Sequence, residues 1–399
     1  MYRIVFPCEQ SLKQMGRNAE RLVGIPIVIA GHGQLEGTVT DYLIERATGS
    51  WAGVSGARLS RNSIAALAGD ITNFLNYFSS LRLDWVKIER GDENKAGSLL
   101  GYANAMDAGN WAQNRRPIKA QTISRRLNAA QDLLCYAASR GRRPPYVPRP
   151  IMGYGARKWT VRHRIVLPSD QALEEWFGRL RARECRRNYL MARMPFETGM
   201  RKEEIIRFPV SAVPDIEEIQ ASKFTYLSLE YGTKGGRSRH DMTLRGKPRT
   251  TRVASTFALQ LHTYKNGASQ RESDLQVARL KFGSGFQPSE LFFNPNTGSP
   301  FSKGHLNSIF SRHSPPEVKP WHPHVGRHYY ACKLLVELIS KSVSASILVQ
   351  DMTFEKFGAL ADRAIAAVQG FLGHEHQDTT ERYVRWAYSR MVAESSVEW

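Results

Sequence analysis

Four stretches of the sequence carry side chains that can act on a phosphate group. They are ETGMRKEEI (197–205) with Arg201, GTKGGRSR (232–239) with Lys234, HPHVGRHYYA (322–331) with His324, Arg327 and His328, and FLGHEHQDTTERYVRW (371–386) with His374 and Tyr383. Arginine stays charged at any working pH and donates forked hydrogen bonds to anionic oxygens. Histidine exchanges a proton near neutral pH, and tyrosine, with a reference pKa of about 10, attacks well only once its proton is taken. These residue types suit the attack of a hydroxyl group on a phosphodiester.

Each stretch alone has an ordinary explanation. An arginine at the start of a helix usually forms a surface ion pair, and a lysine on a hairpin tip is usually solvated. A histidine beside a glycine is more often a core residue than a catalyst. The combination of the stretches, and their order along the chain, is therefore what points to a site.

In this order the stretches resemble the sequence boxes of the tyrosine recombinase (phage integrase) family, over roughly residues 168–390. TGMRKEEI is similar to the first box, WHPHVGRHYYA to the pattern TPHxLRHxxA, and FLGHEHQDTTERY to the pattern LLGHxxxxTTxxY. The resemblance implies a site-specific DNA recombinase, or integrase. Such an enzyme cuts and rejoins DNA through a 3′-phosphotyrosyl intermediate and a Holliday junction, with no metal or other cofactor.

The resemblance also implies a role for each matching residue. The implied roles are phosphate binding for Arg201 and Arg327, general acid for Lys234, assistance for His324 and His374, nucleophile for Tyr383, and support of the site for Glu204. Tyr388 is a rival nucleophile, but the nine-residue spacing from His374 favours Tyr383, and Tyr388 is expected on an apolar face. Gly326 stands where the family usually has leucine, so looser packing is expected before Arg327.

The elements that must position these residues are predicted to be mainly α-helical, with a small antiparallel β-sheet (an α+β fold). Ile64, Leu67, Ile71, Phe74, Leu75 and Phe78 recur at helical spacing, and further helices are predicted near 97–108 and 122–140, the last stopped by Gly141. The predicted domains are an N-terminal segment of unclear role (1–58), a helical domain similar to the family's core-binding (SAM-like) domain (59–141), a basic linker (142–167) and a catalytic domain with a C-terminal tail (168–399). The resemblance implies that the two domains form a clamp.

Within the catalytic domain, Ser169 is expected to cap a helix and residues 224–246 to form two strands around a glycine-rich turn. Helices are expected at 186–196, 253–265 and 273–281, and the chain after 324 is expected to be mainly helical. In the tail, Val384, Ala387, Tyr388 and Met391 share one helix face, which packs either on its own domain or, as we favour, on a neighbouring subunit.

The charge balance points to a polyanionic partner. The chain has 56 Lys+Arg and 37 Asp+Glu, a net charge of +19, and residues 140–164 hold eight basic residues and no acid. Candidate DNA-binding residues are Arg125, Arg126, Arg142, Arg143, Arg157, Lys158, Arg162 and Arg164. The expected partners are double-stranded DNA recombination sites, three further copies of the chain in a homo-tetramer on paired sites (monomer or dimer when free), and accessory DNA-bending proteins.

Three other functions remain open at this stage. The pairs His322/His324 and His374/His376 could serve a metal hydrolase, the basic charge suits a non-catalytic DNA-binding regulator, and a type IB topoisomerase-like enzyme shares the chemistry. The longest apolar run (24–31) is too short for a bilayer, and MYRIVFPCEQ lacks the order of a secretory signal. The four cysteines are far apart and are expected to be free thiols, so a cytoplasmic, nucleoid-associated protein is expected.

Overall fold

The computed structural model divides the chain into two compact units, Met1–Arg162 and His163–Trp399. It describes residues 1–7, 10, 24–51, 59, 61–89, 96–112, 115–149, 151, 165–231, 245–267, 269–315, 321–342, 353–373 and 378–395. Each unit has its own hydrophobic core. The predicted fold class, mainly α with small antiparallel sheets, is confirmed.

The first unit is a helical bundle with a two-stranded sheet. Its elements are β1 (Arg3–Val5), β2 (Ile27–Ile29), α1 (Gly37–Thr48), α2 (Arg61–Ser80), a 3₁₀ turn (Trp85–Lys87), α3 (Leu99–Asp107) and α4 (Ala120–Ser139). The predicted apolar stripe of α2 is buried, because Ile71, Phe74 and Phe78 lie in one core with residues of α3 and α4. Gly141 has a φ of +67°, a conformation that glycine adopts without strain, and the helix ends before it as predicted.

The N-terminal segment packs into the same core as these helices. The Tyr42 hydroxyl in α1 donates to Asp132 in α4 at 2.7 Å, and the Tyr136 hydroxyl donates to Glu45 at 2.8 Å. Val28 and Leu43 are buried with the apolar residues of α2 and α4. Residues of β2 and α1 therefore contribute to the stability of the helical bundle.

The second unit carries all the stretches with candidate catalytic residues. Its elements are α5 (Asp170–Arg183), α6 (Arg186–Thr198), α7 (Lys202–Ile206), a 3₁₀ turn (Val210–Ala212), α8 (Ile216–Gln220), β3 (Phe224–Tyr231), β4 (Arg245–Ala254), α9 (Ser255–Asn266), α10 (Gln270–Phe282), α11 (Lys303–Arg312), α12 (Pro323–Ser342), α13 (Phe354–Leu372) and α14 (Asp378–Ser395). Ser169 caps α5 as predicted, because its hydroxyl accepts the backbone N–H of Ala172 at 3.1 Å. Helix α10 begins three residues before its predicted start, because the Ser269 hydroxyl accepts the N–H of Arg271 at 3.2 Å.

The packing of α12 against its neighbouring helices determines where the last two candidate stretches of this unit lie. Helix α12 lies against α6, and α13 and α14 pack on α12. A cluster of aromatic side chains that includes Trp176, Phe196 and Trp321 fills the core on the α6 side of α12. The long helices α12, α13 and α14 bury a separate cluster that includes Leu335, Val368 and Ala387.

The expectation of loose packing at Gly326 is wrong. A Cβ atom added there would lie 2.8 Å from Cδ2 of Phe196 and 3.0 Å from Cβ of Pro195. A methyl group has no room at such distances, so glycine allows α12 to approach α6 closely. The same approach brings Arg327, the next residue, to the end of α6.

Strands β3 and β4 form an antiparallel hairpin, as predicted, but the second strand runs to Ala254, beyond the predicted limit of residue 246 and into the predicted start of the next helix. Leu227 pairs with Thr251 and Leu229 with Arg249, and both leucines are buried in the core. Residues 232–244, which include Lys234, lie outside the described residues. The second strand ends at Ala254, where α9 begins.

The apolar face of the tail packs within its own chain, where docking onto a neighbouring subunit was expected. Val384 and Ala387 in α14 are buried against α12 and α13. The ring of Tyr388 contacts the rings of Phe354 and Phe357, with centroids 5.6 and 5.2 Å apart. Helix α14 begins at Asp378, before the tail, and therefore extends over more residues than the tail alone. Apolar residues of α12 and α13 cover its apolar face without a second subunit. Tyr388 lies on an apolar face, as predicted.

Two smaller expectations concern the thiols and the membrane. Cys135, Cys185 and Cys332 are free, as predicted, and Cys8 lies outside the described residues. Over the part of the chain that the structure describes, every helix is too short or too polar to cross a bilayer.

Candidate active site

Arg201 occupies the N-cap of the short helix α7. Helix α6 ends at Thr198, and Gly199, with a φ of +66°, turns the chain towards α7. Glu204, at the third position of α7, accepts the backbone N–H of Arg201 at 2.7 Å and its Nη1 at 3.0 Å. Ile205 is buried and anchors the helix in the core. The acidic and apolar residues after Arg201 therefore fix both its backbone and its guanidinium.

Arg249, on β4, is a second arginine that binds Glu204. Its Nε donates to Oε1 of Glu204 at 3.1 Å and its Nη2 donates to Oε2 at 2.6 Å. Burial would raise the pKa of the Glu204 carboxyl, but the hydrogen bonds and charge of Arg249, followed by those of Arg201, hold the pKa below its usual value. The buried carboxylate is therefore ionised at neutral pH and bridges two guanidinium groups.

Arg327, on α12, is almost completely buried, with 1% of its surface exposed. Its Nη1 donates to the carbonyl oxygen of Gly199 and its Nη2 to that of Leu372, both at 2.6 Å. Burial, followed by the charges of Arg201 and Arg249, lowers its pKa to about 9, while Glu204 and Tyr383 oppose the shift. The guanidinium remains protonated at neutral pH.

The three arginines bind three consecutive carbonyl groups at the end of α13. Arg249 donates through Nη1 to Phe371, Arg327 through Nη2 to Leu372 at 2.6 Å, and Arg201 through Nη2 to Gly373 at 3.1 Å. The last carbonyl groups of a helix have no partner within the helix and carry partial negative charge, which favours cations there. The end of α13, directly before His374, is therefore held by residues from α12, β4 and the N-cap of α7.

Tyr383, on α14, lies next to a histidine to which the sequence analysis assigned no role. Its hydroxyl oxygen is 2.9 Å from Nδ1 of His328, and the Tyr383 side chain is 1% exposed. The ring of His328 contacts the ring of His324 edge-on, with centroids 4.5 Å apart. The two histidines are four residues apart on α12 and so lie on one face of the helix, and this spacing is the signal that could have identified His328.

His324 is neutral at physiological pH. Its pKa is lowered to about 3, first by desolvation and then by the charges of His328, Arg327, His322 and Arg201, although part of the residue is exposed to solvent. The exposed part can meet an incoming group, while the positive neighbours disfavour the imidazolium form. A neutral imidazole here can accept or donate one hydrogen bond without a change in charge.

The structure brings together five of the residues predicted for the site. Arg201, Glu204 and Arg327 surround the end of α13, and the Arg327 guanidinium is near enough to Tyr383 for their charges to interact. His324 contacts His328, which contacts Tyr383. Lys234 and His374 lie outside the described residues.

Arg249 is not among the residues predicted from the sequence. The segment 237–252 holds several basic residues, and none of the family boxes covers Arg249. Only the pairing of β3 with β4 and the packing of the hairpin beside α13 reveal which of these residues reaches Glu204. The three guanidiniums of Arg201, Arg249 and Arg327 outnumber the one carboxylate of Glu204, and the excess of positive charge favours an anionic ligand.

The predicted DNA-binding residues of the first unit have contacts of their own. Arg125 binds both carboxylate oxygens of Asp70 at 2.7 and 2.9 Å, and Nε of Arg126 lies 3.6 Å from the same carboxylate. Arg142 is exposed, and Arg143 is half-buried and donates to a backbone carbonyl group of its own unit at 2.9 Å. The remaining candidates of both units lie outside the described residues: Arg157, Lys158, Arg162 and Arg164.

The described residues contain no group of three histidine, cysteine or acidic side chains arranged to hold a metal ion. The rings of His322 and His324 have centroids 6.4 Å apart. The second pair considered from the sequence, His374 and His376, lies outside the described residues.

The chain is similar in structure to a DNA recombinase. It matches "XerH site-specific recombinase bound to palindromic difH substrate: post-cleavage complex" with a TM-score of 0.55 and 15% identity, over 91% of this chain and 89% of that one. It matches the pre-cleavage complex of XerH with difH substrate with a TM-score of 0.51 and 15% identity, over 92% and 91% of the two chains. No protein-family model matches the sequence, and a comparison with curated proteins finds no significant match. The chain therefore shares the fold of this recombinase.

Proposed function

We propose that this chain, which has a tyrosine recombinase fold, is a site-specific DNA recombinase that acts through a 3′-phosphotyrosyl intermediate. The observation that carries the proposal is the 2.9 Å contact between the Tyr383 hydroxyl and Nδ1 of His328, beside the buried guanidinium of Arg327. A tyrosine nucleophile needs a proton acceptor within hydrogen-bond distance and positive charge where the phosphate will lie. Both requirements agree with the contacts of these side chains.

In the proposed cleavage step, the Tyr383 oxygen attacks the phosphorus atom of a DNA phosphodiester. A bond forms between phosphorus and the tyrosine oxygen, and the bond to the 5′ oxygen breaks. The tyrosine proton passes to Nδ1 of His328, which can accept it when the other ring nitrogen carries hydrogen. The leaving 5′ oxygen takes a proton from Lys234. Arg201 and Arg327 stabilise the additional negative charge on the non-bridging oxygens, and His324 and His374 assist.

The rejoining step reverses this chemistry on another strand. A 5′-hydroxyl group of a second DNA attacks the phosphotyrosyl bond, and Tyr383 recovers its proton. One phosphoester bond replaces another in each step, so the reaction conserves bond energy and needs neither ATP nor a metal. Because only 1% of Tyr383 is exposed, DNA binding must uncover its hydroxyl before attack.

The proposed partners follow from this reaction and from the charge of the chain. Double-stranded DNA is the substrate, and the net charge of +19 favours its binding through the phosphate backbone. XerH is described in complex with its difH substrate, which agrees with a DNA substrate for this chain. Exchange between two duplexes uses four tyrosines, so we propose a homo-tetramer that closes around paired sites on the nucleoid, with accessory DNA-bending proteins.

The experiment that tests the proposal recovers the covalent intermediate. The full chain is incubated with a library of nicked duplexes, denatured, and the attached DNA is sequenced. The wild-type chain and Tyr388→Phe should form an adduct at a defined site, and Tyr383→Phe should bind DNA without forming one. The absence of any wild-type adduct would favour a non-catalytic regulator. An adduct accompanied by plasmid relaxation, without joining of two duplexes, would favour the topoisomerase.

A further inference from the structure

Arg249 uses all three nitrogen atoms of its guanidinium for contacts within the protein. Nε and Nη2 donate to Glu204, and Nη1 donates to the carbonyl oxygen of Phe371. Its side chain is only 6% exposed, whereas that of Arg201 is 18% exposed. Arg249 is therefore placed to orient other groups, and Arg201 is better placed to meet a phosphate.

Glu204 transmits this orientation to Arg201. Each carboxylate oxygen accepts one hydrogen bond from Arg249 and one from Arg201: Oε1 from the two side chains, and Oε2 from the Arg249 side chain and the Arg201 backbone. The Glu204 side chain is completely buried, so water cannot readily replace a lost partner. A shift of Arg249 would therefore move the carboxylate and with it the Arg201 guanidinium.

Gly373, directly after α13, leaves the space that the Arg249 side chain occupies. Its φ is +60°, and an added Cβ atom would lie 2.8 Å from Cδ of Arg249 and 3.9 Å from Nη1 of Arg201. The aliphatic part of Arg249 thus passes directly beside the last residue before His374. The same side chain contacts Glu204 on one side and the end of α13 on the other.

We infer that Arg249 is a positioning residue of the candidate active site, which orients Arg201 through Glu204 and fixes the end of α13 before His374. The inference rests on the proposed function. It adds a residue from the second strand of the hairpin to the group that prepares the site for a phosphate. Lysine cannot replace it, because an ammonium group cannot form the forked contact with both carboxylate oxygens.

The test compares Arg249→Lys with Arg252→Lys on the adduct-forming duplex. Arg252 lies on the same strand and pairs with Glu337, outside the site, and serves as the matched control. Arg249→Lys should slow single-turnover cleavage by about 100-fold, the typical cost of a small misplacement of a catalytic group, and leave the DNA dissociation constant nearly unchanged. Arg252→Lys should cleave at the wild-type rate. An Arg249→Lys chain that cleaves as fast as Arg252→Lys would overturn the inference.

A double-mutant cycle separates positioning from a general loss of stability. If Arg249 acts through Glu204, the chain with both Arg249→Gln and Glu204→Gln should cleave no more slowly than the slower single variant. Multiplied effects of the two substitutions would contradict the inference, even if each variant is less stable than the wild type. A wild-type chain that forms no adduct would instead refute the proposed function, so the two failures are distinguishable.

The pH dependence of cleavage gives a readout that a purely structural role would not move. The charged groups facing Glu204 are Arg201 from the N-cap of α7, Arg249 from β4 and Arg327 from α12. The loss of Arg249 should raise the pKa of Glu204. As the pH is lowered, the cleavage rate of Arg249→Gln should therefore begin to fall at a higher pH than that of the wild type. Acid limbs of the two profiles that coincide would show that Arg249 does not act through the carboxylate.

Discussion

Nδ1 of His328 lies 2.9 Å from the hydroxyl oxygen of Tyr383, although 55 positions separate the two residues in the chain. His328 belongs to α12 and Tyr383 to α14, and both helices bury apolar faces in the same cluster. The contact follows from the packing of two helices whose residues belong to separate sequence boxes. It places an imidazole nitrogen, which accepts a proton in one of its tautomers, next to the Tyr383 hydroxyl.

We expect His328→Gln to slow cleavage by about 100- to 10,000-fold, the usual contribution of a general acid or base. Glutamine preserves a hydrogen bond to Tyr383 but does not accept a proton near neutral pH. Single-turnover cleavage of the nicked duplex measures the rate. His262→Gln, a substitution of a half-buried histidine of α9 that bonds to Asn266, is the control and should cleave normally. Equal rates for the two variants would remove His328 from the reaction.

Arg201 and Arg327, the two arginines proposed to bind phosphate, should differ in their effect on stability. Arg327→Ala leaves the carbonyl groups of Gly199 and Leu372 without their donor, at a cost of about 1–3 kcal/mol each. Arg201→Ala should cost less, because Gly373 is partly exposed and Glu204 keeps Arg249. Urea unfolding of the full chain measures the difference. The two variants should both slow cleavage by about 100- to 1,000-fold. Equal free energies of unfolding would show that the buried contacts of Arg327 contribute little.

Two glycines near the end of α13 should respond in opposite directions to alanine. Gly373→Ala should destabilise the unit by at least about 1–2 kcal/mol, because its φ of +60° disfavours a Cβ atom and Cδ of Arg249 would lie 2.8 Å from that atom. Gly370→Ala should stabilise it by about 0.5–1 kcal/mol, because that glycine lies inside the helix with open space around it. Thermal unfolding of both variants provides the measurement. A stabilised Gly373→Ala chain would contradict the close approach of Arg249 to this residue.

Glu184 should make the second unit sensitive to acid. Burial raises its pKa, but hydrogen bonds from Asn188, Arg312 and His313 outweigh burial and lower the pKa to about 2 from an ordinary value of 4.5. A carboxyl whose pKa is lower in the folded chain stabilises it above the ordinary pKa and loses that contribution as pH falls towards the folded value. Glu184→Gln should therefore be less stable than wild type at pH 7, by a margin that shrinks between about pH 4.5 and pH 2.

Urea unfolding at a series of pH values measures this margin for Glu184→Gln. Glu175→Gln is the control, because Glu175 is exposed on α5 and bonds only to the side chain of Gln171 among the contacts described. The difference in free energy of unfolding between Glu175→Gln and the wild type should be small and independent of pH. A margin for Glu184→Gln that is independent of pH would show that the carboxylate charge is not what stabilises the unit.

Cleavage should continue in excess EDTA, because each proposed step uses only side chains and DNA hydroxyl groups. The adduct assay with and without chelator provides the measurement, and a zinc-dependent nuclease under the same conditions confirms that the chelator works. Loss of cleavage on chelation, restored by added zinc, would favour the metal hydrolase.

The sequence by itself determined the helical organisation and most of the candidate residues. Apolar spacing predicted α2 and α4, the Ser169 cap predicted the start of α5, and the order of Arg201, Arg327 and Tyr383 along the chain pointed to the fold that the structural comparison confirms. These features depend on local periodicity, capping and short motifs, which lie within a few turns of the chain. They can therefore be read without knowledge of the distant contacts.

Only the tertiary structure decided which side chains meet. Arg249 reaches Glu204 through the pairing of β3 with β4, Arg327 reaches the end of α6 because Gly326 allows close helix packing, and His328 reaches Tyr383 through the packing of α12 with α14. The tail packs in its own chain for the same kind of reason, because α12 and α13 already offer an apolar surface. Such contacts depend on burial and on directions of side chains from elements far apart in sequence, and no local pattern encodes them.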